Sequence, residues 1–466
     1  MKITIGSYIK IDEPTREIKN WIYENMAFEN PEYVKKLRMG FWTGRTPKMI
    51  NLYERRGKTL CVPFGTLREL LPFIQRAETE NVFRPTQKVE GFQPIPLYDY
   101  QKEAVHAMYR SKYGILRSPA GTGKTQMGLA LAARYEERTL WLTHTKDLLE
   151  QSYNRAAQYM SKDVLGKITD GKVEIGQCIT FATVQTMCRL DLSKYRDTWD
   201  VIIVDECHRV AGTPAAMTMF SKVLDSLRAR HKYGLSATVH RSDGMIKATY
   251  AYIGPVTYSV PDAAVNDRIV KATVIPVSTG TRLTPECLGT DGMVNYPKLI
   301  SHLCSDETRN RRIVSKLVRN SSHYNLILSD RLGHLKTLKD MLPEQMQKSS
   351  ILISGKTADE QREQALEDMR KGNKHFLFAT YQLAKEGLDI PRLDRLYLVT
   401  PRKDSAVIIQ AVGRVQRIFE NKHSAMVFDF VDSTKGLEWA YKRRVTSYKK
   451  CGCEIGQDNV DDVWTD

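Results

Sequence analysis

An α/β fold made of two tandem parallel-sheet units, preceded by a small α+β domain, is what this sequence predicts. Three observations carry the expectation. Between Leu97 and about Pro261 short apolar runs (Gly114–Leu116, Thr139–Thr143, Ile179–Ala182, Val201–Val204, Tyr233–Ser236) alternate with helix-like stretches. The same alternation recurs from about Ile269 to Asp432, with runs at Asn325–Leu328, Ser350–Ile353, Phe376–Ala379, Arg395–Val399 and Ala425–Phe430. Finally, the octapeptide Ser118–Thr125, S-P-A-G-T-G-K-T, sits between an apolar run and a helical pattern. Continuous apolar runs suit strands covered on both faces, and strand–helix alternation suits parallel crossovers.

The 466 residues exceed one compact core, and the expected division is 1–95, 96–262, 263–435 and 436–466. In the first segment short apolar stretches around Ile3, Leu60–Val62 and Leu70–Ile74 are punctuated by Gly40, Gly44, Pro47, Gly57, Pro63 and Gly65, which predicts short strands, turns and a helix or two. Residues 35–58 interleave Arg38, Arg45, Arg55 and Arg56 with Phe41, Trp42 and Tyr53. Such a mixture suits a surface that meets phosphates and bases, and it equally suits a half-buried sheet with a solvated face. Residues 84–96 read as a linker that leaves this domain separable. The tail after Gly436 carries a basic helical piece (Lys442, Arg443, Arg444, Lys449, Lys450) and ends acidic.

Charge narrows the function class. Seventy Lys and Arg against 54 Asp and Glu leave +16, which points to a polyanionic partner. Eight scattered cysteines, with only Cys451 and Cys453 close together, lack paired C-x-x-C units, so a structural zinc is not expected. The N-terminus lacks a signal-peptide core and no apolar run reaches spanning length, so an intracellular, soluble protein is expected.

The octapeptide is a phosphate-binding turn in the right context. Gly121 and Gly123, flanking Thr122, let backbone N–H groups turn inward around an anion. Lys124 supplies a point charge for the β- and γ-phosphates, and Thr125 a hydroxyl for Mg²⁺. Ser118 stands where the strict pattern has glycine. Downstream, the run Val201–Val204 ends in Asp205-Glu206-Cys207-His208. A buried parallel strand delivers its C-terminal residues to the crevice where ligands bind, so Asp205 is a candidate Mg²⁺ holder and Glu206 a candidate to polarise the attacking water.

From here the chain resembles the superfamily 2 helicases of DExH type, in the branch that includes XPB, RadD and phage UvsW proteins. Gln101, in Leu97–Gln101, matches the adenine-reading glutamine. Thr143-His144-Thr145-Lys146 and Thr183-Val184-Gln185-Thr186 look like strand-contacting elements. Ser236-Ala237-Thr238 is similar to the motif that couples ATP to nucleic acid, and Arg241-Ser242-Asp243 resembles the Arg-Glu-Asp element of XPB. Further on, Leu328-Ser329-Asp330-Arg331, Ala379-Thr380, Glu386-Gly387-Leu388-Asp389-Ile390 and Gln410-Ala411-Val412-Gly413-Arg414-Val415-Gln416-Arg417 match the remaining motifs in order. Gly355-Lys356-Thr357 lacks the glycine-rich turn of a second phosphate loop.

The resemblance implies two RecA-like domains, ATP and Mg²⁺ as cofactors, and DNA, branched or forked, as partner. It implies catalytic roles for Lys124, Asp205, Glu206, Gln410, Arg414 and Arg417, the last two projecting from one helical face as arginine fingers. Gln101, Gly121, Thr122, Gly123, Lys124, Thr125, Gly387 and Asp389 would bind nucleotide, with Thr125 and Asp205 on the metal. His208, Ser236 and Thr238 would couple the sites. Thr143, Thr145, Gln185, Arg241, Arg331 and Thr380 would contact nucleic acid, joined by Arg38, Trp42 and Arg45 of the first domain. Branch migration, fork regression and D-loop or R-loop unwinding are the implied duties, by a monomeric motor, phage-encoded. The same motifs would also serve an RNA helicase of DExH type or a duplex translocase subunit that does not unwind.

Overall fold

The computed structural model describes the chain except residues 120, 211–213, 238–244, 262–268, 290–291, 356, 386–387, 389, 433–436 and 459–466, and except the side chains of 214–216, 359 and 384–385. It forms two compact units, Met1–Pro261 and Asp262–Asp466.

The first unit holds two sheets. The N-terminal one has the strand order Glu54–Arg56, Thr59–Pro63, Tyr8–Asp12, Lys2–Ile5, Glu78–Asn81. It is antiparallel except where Lys2–Ile5 runs parallel to Glu78–Asn81. Its first two strands in chain order alternate with period two: Ile3, Ile5, Ile9 and Ile11 are buried while their neighbours face out. Helix Arg16–Asn25, capped by the Thr15 hydroxyl accepting the Ile18 N–H, lays Ile18 and Ile22 on that face.

The second sheet is the parallel one that the apolar runs predict. Its order is Lys172–Val173, Leu165–Thr169, Ile179–Thr183, Thr139–Thr143, Val201–Asp205, His231–Ser236, Gly114–Arg117, Val256–Ser259. All neighbours are parallel except the short Lys172–Val173 edge. The strand ending in Ser236 lies between the strand that feeds the phosphate turn and the strand that ends in Asp205. That placement brings three chemically distinct strand ends to one edge.

The two sheets of this unit are not joined by a free linker. Arg84 grips Asp200 through Nε and Nη2 (3.2 and 2.6 Å), Val89 N–H donates to the Glu136 carbonyl (2.8 Å), and the Glu90 carbonyl accepts from Gln177 Nε2 and Cys178 Sγ (3.2 Å each). Residues 84–96 are therefore a strap along the parallel sheet. The reading as a linker fails because the backbone groups of a proline-containing stretch found partners on the domain beneath it. The apolar cores merge as well: Phe64 meets Tyr113 at 5.1 Å, and Lys232, 1% exposed, donates to the Ser7 carbonyl at 2.7 Å. Gly65 marks the tightest approach. A Cβ there would meet Tyr250 O, Gly254 N and Ala251 O at 2.4–2.6 Å, all backbone atoms that cannot swing aside. Gly65→Ala is therefore expected to destabilise by about 1–3 kcal/mol through overpacking. A thermal melt should show it as a drop of roughly 2–12 °C.

The second unit is a parallel sheet of order Ser350–Leu352, Phe376–Thr380, Asn325–Ser329, Arg395–Leu398, Ala425–Val431, Ala272–Ser278, Glu454–Ile455. The tail joins it directly. Helix Leu437–Lys450 is pinned by the buried pair Arg444–Asp429 (2.8 and 2.9 Å), and the strand Glu454–Ile455 extends the sheet beside Ala272–Ser278. Among the described residues no helix is long and apolar enough to cross a membrane.

Candidate functional site

The turn between strand Gly114–Arg117 and helix Lys124–Tyr135 has the geometry a phosphate needs. Gly121 and Gly123 have φ of 83° and 80°, a region that L side chains rarely adopt, and nothing crowds the Cα of Gly121. Ser118, at the non-glycine position, is fully buried and its hydroxyl pairs with Thr122 at 2.5 Å, while its N–H donates to the Ser236 carbonyl at 2.9 Å. The serine hydroxyl thus closes the turn on Thr122, a contact glycine could not make, while its backbone N–H ties the turn to the neighbouring strand. Thr122, 1% exposed, also donates to the Pro119 carbonyl at 2.7 Å, so its side chain shapes the turn. Thr125 lies on the first helical turn, half-buried.

Lys124 reaches back across the turn. Its ammonium lies 3.5 Å from the Ser118 carbonyl and 3.9 Å from Glu206 Oε1. Asp205 ends its strand 5% exposed, with Oδ1 accepting its neighbour's N–H at 2.9 Å and Oδ2 accepting from Ser152 at 3.4 Å. Burial, and then repulsion from Glu206, raises the Asp205 carboxyl to about 7. At Glu206 burial pushes the same way, but Lys124 and His208 outweigh it and hold the carboxylate down to about 2. A buried carboxylate beside a hydroxyl-bearing helix start and a lysine fits Mg²⁺–nucleotide, since Mg²⁺ takes one or two carboxylates and completes its shell with phosphate and water. Glu206 itself adopts φ 48°, a left-handed turn that swings its side chain away from the strand line and beside Lys124.

His208 Nδ1 lies 3.0 Å from Ser236 Oγ and 3.2 Å from Glu206 Oε2. One ring N–H cannot serve both at once, so His208 sits between the carboxylate of one strand end and the hydroxyl of the next. Thr238 and Arg241 lie outside the described residues, as do Gly387 and Asp389.

Gln101 is 2% exposed. Its Nε2 donates to the Thr122 carbonyl at 2.9 Å and its Oε1 accepts the Tyr98 N–H at 3.0 Å, while Tyr100 OH reaches the same carbonyl at 3.0 Å. In this structure the glutamine braces the phosphate turn, and Tyr98 of the same element presents an exposed ring stacked on Tyr100.

The candidate strand contacts separate into two kinds. Thr143 is buried and its hydroxyl bonds the Thr145 and Ala182 carbonyls at 3.0 and 3.5 Å. As a contact to nucleic acid it needs correction: its side chain shapes the strand end and does not face solvent. Thr145 caps helix Lys146–Ala156 through Leu148 N–H, and Gln185 holds the His144 carbonyl at 2.6 Å, its Oε1 having no partner among the described residues. The register of Thr143 with Thr183 brings these segments together at one sheet edge.

In the second unit Thr380 ends its strand half-buried, and Arg331 is exposed at the start of helix Leu332–Asp340. Gln410 and Arg414 lie on helix Ser405–Val415, and Gln410 Oε1 is buried without a partner among the described residues. Arg417 is not on that helix. The helix stops because Gln416 is buried and held from both sides, its carbonyl by Val270 N–H (2.8 Å) and its amide on the Cys451 carbonyl (2.9 Å). Arg417 follows in a bend whose carbonyl accepts from Lys422, and the same ammonium serves the Pro391 and Leu393 carbonyls (2.8, 3.0 and 2.5 Å). Lys422, lowered to about 7 by burial, thus fixes the backbone of Arg417 to the segment after residue 390, and nothing in the motif pattern announced it.

Comparison with known proteins decides the family. Residues 94–241 match the family described as type III restriction enzyme, res subunit, and residues 309–419 match the helicase conserved C-terminal domain. The chain belongs to the superfamily 2 helicases. The protein named "Probable helicase D10" of Escherichia phage T5 is 28% identical over 357 residues, which cover 75% of this chain and 73% of that one. "DNA 3'-5' helicase XPB" of Kineococcus radiotolerans is 27% identical over 368 residues, covering 75% and 62%. "ATP-dependent DNA helicase uvsW" of Enterobacteria phage T4 is 22% identical over 437 residues, covering 85% and 83%. Both matched domains lie on the two parallel sheets described above, which are the RecA-like pair of this helicase family.

Proposed function

We propose that this helicase is an ATP-dependent DNA motor acting on branched or forked duplexes, with the N-terminal domain as the reader of the branch. The observation that carries the reading is an exposed apolar run on that domain. Leu37, Met39, Phe41 and Trp42 are 63%, 57%, 63% and 88% exposed, and Arg38 and Arg45 flank them. Water-facing rings between cations suit an unpaired base with its phosphate, or a wedge at a base step. Beside the run lies a groove of about 630 Å³, lined by Lys36, Trp42, Arg45 and Pro47 and, from the first RecA-like domain, by Met217 and Thr218. Arg56 and Tyr53 are less available, Arg56 being paired with Glu54 at 2.7 Å and Tyr53 packed on Tyr23.

In this reading Lys124 and the turn hold the triphosphate, Thr125 and Asp205 hold Mg²⁺, and Glu206 orients the attacking water. The bound Mg²⁺ would neutralise charge on the phosphate oxygens. His208 passes the state of Glu206 to Ser236. Thr145, Gln185, Arg331 and Thr380 meet the nucleic-acid backbone without reading sequence, which suits the +16 charge. Arg414 and Arg417 act on the transition state. Arg414→Ala is expected to lower DNA-stimulated turnover by roughly 10²–10³-fold or more while nucleotide affinity changes less than about tenfold. Equal losses in both would make it a ground-state ligand.

The test of the branch reading is forked-duplex strand displacement, together with affinity for a four-way junction and for linear duplex at one fixed salt. Trp42→Ala with Arg45→Ala is expected to remove the preference for the junction, a loss of roughly 5- to 100-fold in relative affinity, while linear duplex is bound as before. An unchanged ratio overturns the assignment of the reader. Displacement from an RNA duplex at equal rate would make the substrate RNA, and ATP turnover without displacement would make the motor a translocase.

A further inference from the structure

The solvent face of the C-terminal helix belongs to none of the motifs above. Helix Leu437–Lys450 is anchored through its inner face by Arg444 and by Tyr448, whose hydroxyl donates to Asp429 at 2.6 Å. Its outer face, at positions i, i+3, i+4, i+7, i+10 and i+11, carries Trp439, Lys442, Arg443, Thr446, Lys449 and Lys450, all exposed and without a carboxylate among them. Trp439 is 54% exposed, and the Arg443 guanidinium lies 4.7 Å from its ring centroid. One cation over one face steadies the ring, and the remaining exposure leaves a stacking surface in water. Lys403 stands 6.0 Å from the same ring and 5.3 Å from that of Tyr296.

Lys403 links this face to the strand ends of its sheet. It comes after strand Arg395–Leu398, in a segment where Arg402 binds Asp330 at 2.5 Å, Thr400 Oγ1 accepts the Asp330 N–H at 2.9 Å, and Tyr381 OH donates to the Thr400 carbonyl at 2.8 Å. Asp330 and Tyr381 adjoin Arg331 and Thr380. The segment that carries Lys403 is therefore bonded to the residues beside Arg331 and Thr380.

We propose that this face is a second nucleic-acid platform, on which Trp439 stacks an unpaired base and Lys442, Arg443, Lys449 and Lys450 track the phosphates of the same strand. It rests on the reading of the chain as a nucleic-acid motor. From Trp439 to Lys450 the helix spans about 16 Å at 1.5 Å per residue. Charge selects the occupant: Arg443 and Lys403 lie at the one aromatic ring, Lys442, Lys449 and Lys450 continue the charge along the helix, and Glu438 borders the face, a balance that suits a polyanion with π-faces.

The probe is oligo(dT), with the full chain, reading both ATPase activation and binding across a salt series. Trp439→Ala is expected to raise the half-activating oligo(dT) concentration by about 5-fold or more with kcat at saturation retained, and Trp439→Phe to restore it, because the interaction is stacking. Lys442→Ala, Lys449→Ala and Lys450→Ala together are expected to reduce the slope of log affinity against log salt by about 2, at ~0.7 per single-strand contact. Wild-type half-activation in Trp439→Ala, with an unchanged slope in the triple variant, overturns the platform while the motor reading stands. A wild-type chain that neither binds oligo(dT) nor is activated by any nucleic acid overturns the motor reading instead.

Discussion

Lys124→Ala is expected to lower nucleic-acid-stimulated ATP turnover by ~10³-fold or more, and Glu206→Gln to do the same while leaving ATP binding intact. The two differ because their charges do different work. The Lys124 ammonium lies within 4 Å of Glu206 and of the first carbonyl of the turn, so it is already held where the β- and γ-phosphates would arrive. Removing it takes away ground-state and transition-state stabilisation together. Glutamine at 206 keeps the volume and one acceptor oxygen but abolishes the negative charge that would polarise water. Nucleotide binding by fluorescence and turnover by phosphate release, measured on the same preparations, separate the two effects. Either variant turning over at the wild-type rate would remove the site from this turn.

Much of this site was legible because it is built on continuous apolar strands. Val201–Val204 could be nothing but a buried strand, so the adjoining pair Asp205-Glu206 had to emerge at the edge of a sheet. The glycines at 121 and 123 likewise permit the positive φ that such a turn requires, and both adopt it. The hidden part was decided by contacts between distant segments. Thr143 carries the same residue type as a strand contact, yet its hydroxyl turned inward because Ala182 lies across the neighbouring strand. Spacing of three suggested that Arg414 and Arg417 share a helix face. Tertiary bonds at Gln416 end the helix between them. The strand Leu165–Thr169, with Gly166 and Lys167 inside it, had no apolar run to show, and only pairing with Ile179–Thr183 makes it one.

The N-terminal domain is the clearest case of a boundary that the sequence drew in the wrong physical terms. Proline at 84–96 suggested a linker, and a separable domain. A chain beginning at Pro96 is instead expected to lose its cooperative thermal transition or its solubility. Such a deletion would uncover the helix Ile246–Ile253, on whose backbone Gly65 rests, and the buried ring of Tyr113. It would also strip Lys232 of the Ser7 carbonyl and of the Phe64 ring 5.1 Å away, leaving the Leu224 carbonyl at 2.8 Å. Burial already lowers Lys232 to about 8 and, with the opposite sign, raises nearby Asp225 to about 7. Such a pair tolerates the interior only while each keeps its partners. Lys232→Ala in the full chain tests the same contact without truncation. It leaves the buried carbonyls of Ser7 and Leu224 without their donor and takes a favourable charge away from half-buried Asp225, at a cost of about 1–3 kcal/mol. At ~2–4 °C per kcal/mol for a unit of this size, the melt should fall by roughly 2–12 °C. A truncated chain that melts cooperatively, together with Lys232→Ala melting like the wild type, would restore the picture of two domains on a tether.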